Sequence, residues 1–295
     1  MEYIETKQLL IKNKNPKEWF GFDYTLNLYK GCSHGCIYCD SRSQCYRIDN
    51  FDVVRAKKDA IAILNKELRN KKKKGIIGMG SMSDPYNPCE NDEKLTQETL
   101  KLLDYYGFGV GIHTKSDLVL RDLDLLKRIH TQSQAVVNVT ITTSSDEISK
   151  KIESNVCPSS RRFEVVKKLK EAGLVCGITM TPVLPFITDD KEDLKLFIQK
   201  AVEAKADYIL TYMTVTLREN QRDYYYEKLD EYFPGLSFTY KRIYNNRYSC
   251  ETLKWKENYE YLKKECEKHH ILYEMDDIVA LIESNKKEVE QLSLF

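Results

Sequence analysis

Three cysteines stand as Cys32-x3-Cys36-x2-Cys39 inside GCSHGCIYCDSRSQCY (residues 31–46), and Cys45 trails six residues behind. Thiols this close together can bind zinc, pair as disulfides or hold an iron–sulfur cluster. A tetrahedral zinc site wants four ligands, usually as two short-spaced pairs. No second Cys-x2-Cys lies downstream, and drawing in His34, between the first two cysteines, makes a cramped loop. A closed ferredoxin-type cluster also wants a fourth thiolate, and Cys45 stands at a spacing that neither common ferredoxin pattern uses. The remaining possibility is a cluster left one ligand short.

The surrounding sequence sets the compartment and the scaffold. The N-terminal residues MEYIETKQLLIKNKNP are polar, with neither the apolar stretch nor the small-residue cleavage site of a signal peptide. No apolar run is long enough to span a membrane. A cytoplasmic protein is therefore expected, in which clustered cysteines read as metal or redox chemistry rather than disulfides. With 46 basic and 45 acidic residues there is no global polycation, so any nucleic-acid contact must be local.

Strand-like runs at 23–29, 75–79, 107–113, 135–142, 174–181 and 208–215 alternate with amphipathic stretches at 53–72, 94–106, 121–129, 160–172 and 190–204. That alternation predicts βαβ units and a parallel sheet, an α/β fold of the partial (β/α)6 TIM type with a helical C-terminal extension. The expected organisation is a lead-in over 1–19, the partial barrel over 20–215, the extension over 216–288 and an exposed tail over 289–295. Ligands of such barrels sit at the C-terminal strand ends. Two of those ends run into polar segments, GSMSDPYNPCE (80–90) and HTKSD (113–117).

DYTLNLYKGCSHGCIYCDSRSQCY, with the Ser-Asp-Pro-Tyr strand end at 83–86 and the Thr-Lys-Ser strand end at 114–116, resembles the spore photoproduct lyase-like branch of the radical S-adenosylmethionine (SAM) superfamily. The resemblance covers roughly residues 20 to 275. It implies a [4Fe–4S] cluster held by Cys32, Cys36 and Cys39, with the fourth iron open to the amino and carboxylate groups of SAM. It places Tyr38 near the adenine, Ser83 and Asp84 at the methionyl moiety, Lys115 opposite the SAM carboxylate, and Thr142 or Ser144 within reach of the ribose. Flavodoxin or ferredoxin is the implied type of electron donor. One departure stands out. Where the spore enzyme has a hydrogen-returning cysteine, two residues before the serine of the Ser-Asp pair, this chain has Ser81, whose O–H bond is too strong for that task. Cys89 could substitute if its loop folds back; otherwise it is an incidental thiol.

Two further features bear on the substrate. The tail Gln291-Leu292-Ser293-Leu294-Phe295 is similar to the peptide motif by which proteins bind the bacterial sliding clamp, unless it packs on its own domain. Arg218, Arg222, Lys241, Arg242 and Arg247 lie among Tyr224, Tyr225, Tyr226, Tyr240, Tyr244 and Tyr248, a mixture suited to phosphate contact and base stacking, unless the tyrosines pack inward. The expectation is a radical SAM enzyme acting on DNA. The alternatives are a radical SAM enzyme acting on a peptide or small molecule, and a non-catalytic iron–sulfur or zinc protein.

Overall fold

The computed structural model describes residues 1–284, so the clamp-like pentapeptide at 291–295 and the end of the expected extension lie outside the described residues. Six parallel strands, Tyr24–Leu26, Ile76–Met79, Gly109–Thr114, Ala135–Thr140, Val175–Met180 and Ile209–Thr211, lie side by side in chain order. Leu10–Lys12 adds an antiparallel edge to the first of them. The two ends of this sheet do not meet, so the barrel is partial, as expected.

The central strands AVVNVT and VCGITM are buried along their whole length, as parallel strands covered on both faces must be. Helices Leu95–Tyr106, Leu123–Gln132, Ser159–Glu171 and Lys191–Glu203 cover the outside, and Leu100, Leu103, Leu126, Ile129, Val165, Leu169 and Phe197 join the outer strand residues in one core. The inner face is filled by aromatic rings. A Cβ at Gly78 or Gly111 would collide with the Phe22 ring, and one at Gly177 with Tyr208, so three glycines leave room for two large side chains. At the start of the fourth strand Gln134 donates to the Ile282 carbonyl, and helix Met275–Ser284 packs Ile278 and Ile282 against Phe20, Phe22 and Tyr208.

Several expected elements differ. The helix expected over 53–72 is only Ala60–Arg69. Arg55–Lys57 before it is a strand, paired with Glu2–Ile4 and Tyr29–Lys30. The N-terminal partner, more than fifty residues away in sequence, overrides the local helical pattern. The strand expected over 208–215 ends at Thr211, and Thr214–Thr216 turns away to pair antiparallel with Ser249–Glu251, a strand not foreseen in the extension. Beyond it lie helices Gln221–Tyr232, Leu236–Tyr244 and Trp255–Lys268.

Of the basic–aromatic surface expected there, Lys241, Arg242, Arg247 and Tyr248 are exposed, but four of the six tyrosines are interior. Tyr225, Tyr226, Tyr240 and Tyr244 are buried together, with ring centroids 5.3 to 6.3 Å apart. Arg222 donates to the carbonyls of Leu217, Asn246 and Arg247, and Arg218 to the Tyr248 hydroxyl at 2.7 Å. These tyrosines serve packing because an aromatic ring buries more apolar area than the extension's few aliphatic residues supply.

Candidate active site

A cavity of about 540 Å³ opens at the C-terminal ends of the parallel strands, with all three clustered cysteines on its wall. The loop that carries them is gripped from several sides. Gly31 turns the chain with φ 83° hard against the carbonyls of Phe51 and Val53, where no Cβ fits. Ser83 donates from Oγ to the Gly31 carbonyl at 2.5 Å, and Asn87 accepts from the Ser33 amide at 3.1 Å. From the other side the Ile37 amide donates to Ile152 O at 3.0 Å, Cys36 forms a β-bridge with Glu153, and Asn155 donates to the carbonyls of His34 and Ser33.

Behind this loop lies a buried ion pair. Arg162 donates to Glu153 at 2.5 Å, and both side chains are fully buried. Arg162 also donates to the Thr140 carbonyl, the Cys157 carbonyl and Ser149 Oγ, while the Tyr38 hydroxyl donates to Glu153. Burial alone would raise the Glu153 pKa, but the Arg162 and Lys115 charges outweigh it and hold the carboxyl below its usual range. Asp84 does comparable work between the second and third strand ends. It accepts from Thr114 Oγ1 at 2.8 Å, from the Lys115 amide at 2.8 Å and from the Tyr86 amide at 2.9 Å, and lies 3.4 Å from His34 Nδ1.

The three thiols are free. Burial raises the Cys32 pKa to about 12 and pushes Cys36 and Cys39 upward, with Lys115 opposing the shift at the last two. A bound cation reverses that balance, because a coordinating thiol deprotonates. The Lys115 ammonium sits 5.7 Å from the Tyr38 ring centroid. Its desolvation is outweighed by Cys36, Glu153 and Asp84, so its pKa is raised and it stays charged. Among the described residues no three His, Cys, Asp or Glu side chains converge as ligands of a single ion do. A mononuclear zinc site needs such convergence. A four-iron cube does not, since each thiolate meets a different corner, and three separate thiols in one polar pocket fit it.

Tyr38, Ser83, Asp84 and Lys115 share the cavity wall with the cysteines. Three other expected residues do not. The fourth strand ends at Thr140, so Thr142 lies behind the wall, donating to Glu153 at 3.3 Å. Ser144 is bound to Asp193 at 2.5 Å. From this strand it is Thr140 that reaches the wall, paired with Thr179 at 2.9 Å. Cys89 packs against the main core beside the helix Glu90–Glu93 instead of folding back, and burial with its acidic neighbours raises its pKa to about 11. Ser81 does reach the wall. Cys45 is exposed outside it, 3.4 Å from Arg218.

Sequence reasoning missed Trp19, His113, Tyr212, Glu153 and Arg162. Trp19 lay in the segment read as a lead-in, yet it lines the cavity and stacks on His113 at 5.6 Å between centroids. His113 opened the quoted HTKSD segment, a usable signal. The Glu153–Arg162 pair carries no motif.

The Radical SAM superfamily model matches residues 26–198. The chain belongs to the radical SAM superfamily. An uncharacterized protein of Mycobacterium tuberculosis is 30% identical over 230 residues, which is 76% of this chain and 67% of that one. An uncharacterized protein of Methanocaldococcus jannaschii is 36% identical over 177 residues, 59% of this chain and 66% of that one. In fold the chain is similar to spore photoproduct lyase complexed with dinucleoside spore photoproduct, with TM-score 0.63 at 14% identity, covering 90% of this chain and 78% of that one. A double mutant of that lyase, with AdoMet (SAM) and the dinucleoside bound, matches with TM-score 0.59 at 14% identity, over 84% of this chain and 74% of that one. As a radical SAM enzyme the chain uses a [4Fe–4S] cluster and SAM and takes its electron from a reductant. No helix among the described residues is long and apolar enough to cross a membrane.

Proposed function

We propose that this radical SAM enzyme acts on DNA, repairing or modifying a damaged base by hydrogen abstraction. The observation that carries the reading is one cavity lined both by the three cysteines and by exposed aromatic rings, Trp19 and Tyr212. A fold similar to that of a lyase solved with dinucleoside spore photoproduct supports it.

In this reading Cys32, Cys36 and Cys39 would hold the cluster, leaving it one protein ligand short so that SAM could bind there. Cluster and SAM together supply, on one-electron reduction, methionine and a 5′-deoxyadenosyl radical able to take hydrogen from an unactivated carbon. Lys115, charged and on the wall, holds the SAM carboxylate, and the Tyr38 ring lies against the adenine. Thr140 replaces Thr142 and Ser144 as the ribose contact, since it alone of the three lines the cavity. Ser83 acts at one remove, because its hydroxyl is engaged with the cysteine loop. Asp84 positions Lys115 through its amide and fixes the two strand ends on which the SAM contacts stand.

Ser81 occupies the wall and Cys89 does not, so among the described residues the cavity offers no thiol beyond the three ligands. Spore photoproduct repair with a cysteine returning the hydrogen atom is therefore not the reaction proposed; another lesion is. Flavodoxin or ferredoxin supplies the electron, and residues 291–295 recruit the enzyme to the sliding clamp. The test is anaerobic SAM cleavage by the full chain with and without irradiated DNA. Stimulated 5′-deoxyadenosine formation and deuterium transfer from labelled DNA are expected. Stimulation by a peptide or metabolite, and none by DNA, would overturn the reading.

A further inference from the structure

The cavity wall also carries groups that the fold leaves unused. Trp19 and Tyr212 stay 40% and 47% exposed although both line the cavity. Stacked on Trp19 is His113, whose Nε2 is buried with no hydrogen-bond partner. Its register partner on the fourth strand, Asn138, is in the same condition. The Asn138 Oδ1 accepts from the Tyr208 hydroxyl, which fixes the amide's orientation, while its Nδ2 finds no acceptor. Asn138 lies below the cavity floor, but His113 is on its wall, where an orphaned nitrogen is costly and calls for a partner from outside the chain. Burial, seconded by Lys115, lowers the His113 pKa to about 4, so the imidazole is neutral and offers one bare nitrogen.

We propose that Trp19 and His113 form the recognition site for a pyrimidine base swung out of a DNA strand, Trp19 stacking on its face and His113 hydrogen-bonding its lactam edge. This rests on the DNA reading above and names the residues that receive the base. A lactam edge presents an N–H, which a bare imidazole nitrogen on the cavity wall can accept. Enzymes that do chemistry on a base extrude it into such a pocket and read it by stacking plus edge hydrogen bonds. A peptide backbone carries the same amide but has no planar face to lie on an indole. The stacking function sought among the C-terminal tyrosines, four of which are buried, is thereby placed at the cavity mouth.

The test is fluorescence anisotropy of labelled single-stranded oligothymidylate with the full chain, alongside SAM binding to the same samples. Trp19→Ala weakens oligonucleotide binding by about 5- to 100-fold, the range that loss of one base–aromatic stack produces. Trp19→Phe restores most of it. His113→Phe keeps a ring and removes the nitrogen, and it abolishes the preference for oligothymidylate over oligodeoxycytidylate of equal length, whose pyrimidine lacks the N3–H. Trp255→Ala, an exposed tryptophan outside the cavity, binds as wild type. If wild type binds DNA and Trp19→Ala and His113→Phe bind it equally well, this assignment is wrong and the DNA reading stands. If the two variants lose SAM and keep DNA, the wall serves the cofactor and the assignment is wrong. If wild type binds no DNA, the DNA reading itself fails.

Discussion

The two walls of the cavity are built on opposite principles. On the cysteine side nearly every polar group is answered from within the chain. Asp84 accepts from three donors, Ser83 and Asn87 close on the loop, and Glu153 is enclosed by Arg162, Tyr38 and Thr142. On the Trp19 side the buried His113 Nε2 has no partner and two aromatic rings stay open to the cavity. Both walls rest on the same sheet, so the difference does not come from the scaffold. In the proposed function it separates a surface that holds a permanent group in one geometry from one that admits and releases a changing ligand.

The comparison can be broken hardest at the buried ion pair. Arg162→Met leaves Glu153 charged and uncompensated beside the cysteine loop, and should cost about 3–5 kcal/mol in denaturant unfolding. A loss below about 1 kcal/mol would mean that the cysteine wall does not depend on this pair. On the other wall the His113 ring sharpens the contrast through pH. Its folded pKa of about 4 lies below the ordinary value of 6.5, because burial first and Lys115 second disfavour the cation. Protonation therefore favours the unfolded chain. The stability from a neutral His113 is fully present above pH 6.5 and is lost as pH falls toward 4, at up to about 1.4 kcal/mol per pH unit. His113→Phe should flatten that part of the stability–pH curve. An unchanged slope would show that the ring is not buried neutral. The smallest effect is expected at Cys89. It packs on the core outside both walls, so Cys89→Ala should cost about 1 kcal/mol or less and leave 5′-deoxyadenosine formation unchanged. A lost turnover would bring it back as a hydrogen donor.

How much of this was legible in the sequence follows the same division. Cys32, Cys36 and Cys39 announce themselves because three ligands of one group must be close in space and here are close in sequence. The six strands are legible because a parallel sheet needs long buried β-branched runs with helices between them. Thr142 and Ser144 were misplaced by where the fourth strand stops, since a shift of two residues past Thr140 carries a side chain from the wall into the packing behind it. Trp19 and His113 meet across more than ninety residues, and Glu153 and Arg162 belong to no periodic pattern. Such pairs become visible only once the strands bring them together. The tyrosines of the extension show the reverse error, where residue types suited to stacking on DNA are used to fill a small core.

The central claim is that the cysteine wall holds a cluster open to SAM, and the electron paramagnetic resonance spectrum of the reduced, anaerobically reconstituted full chain tests it most directly. About four irons per chain are expected, with a [4Fe–4S]⁺ signal that changes on adding SAM in wild type and is absent in Cys36→Ala. A wild-type signal indifferent to SAM, or an unchanged cluster in Cys36→Ala, would contradict the account.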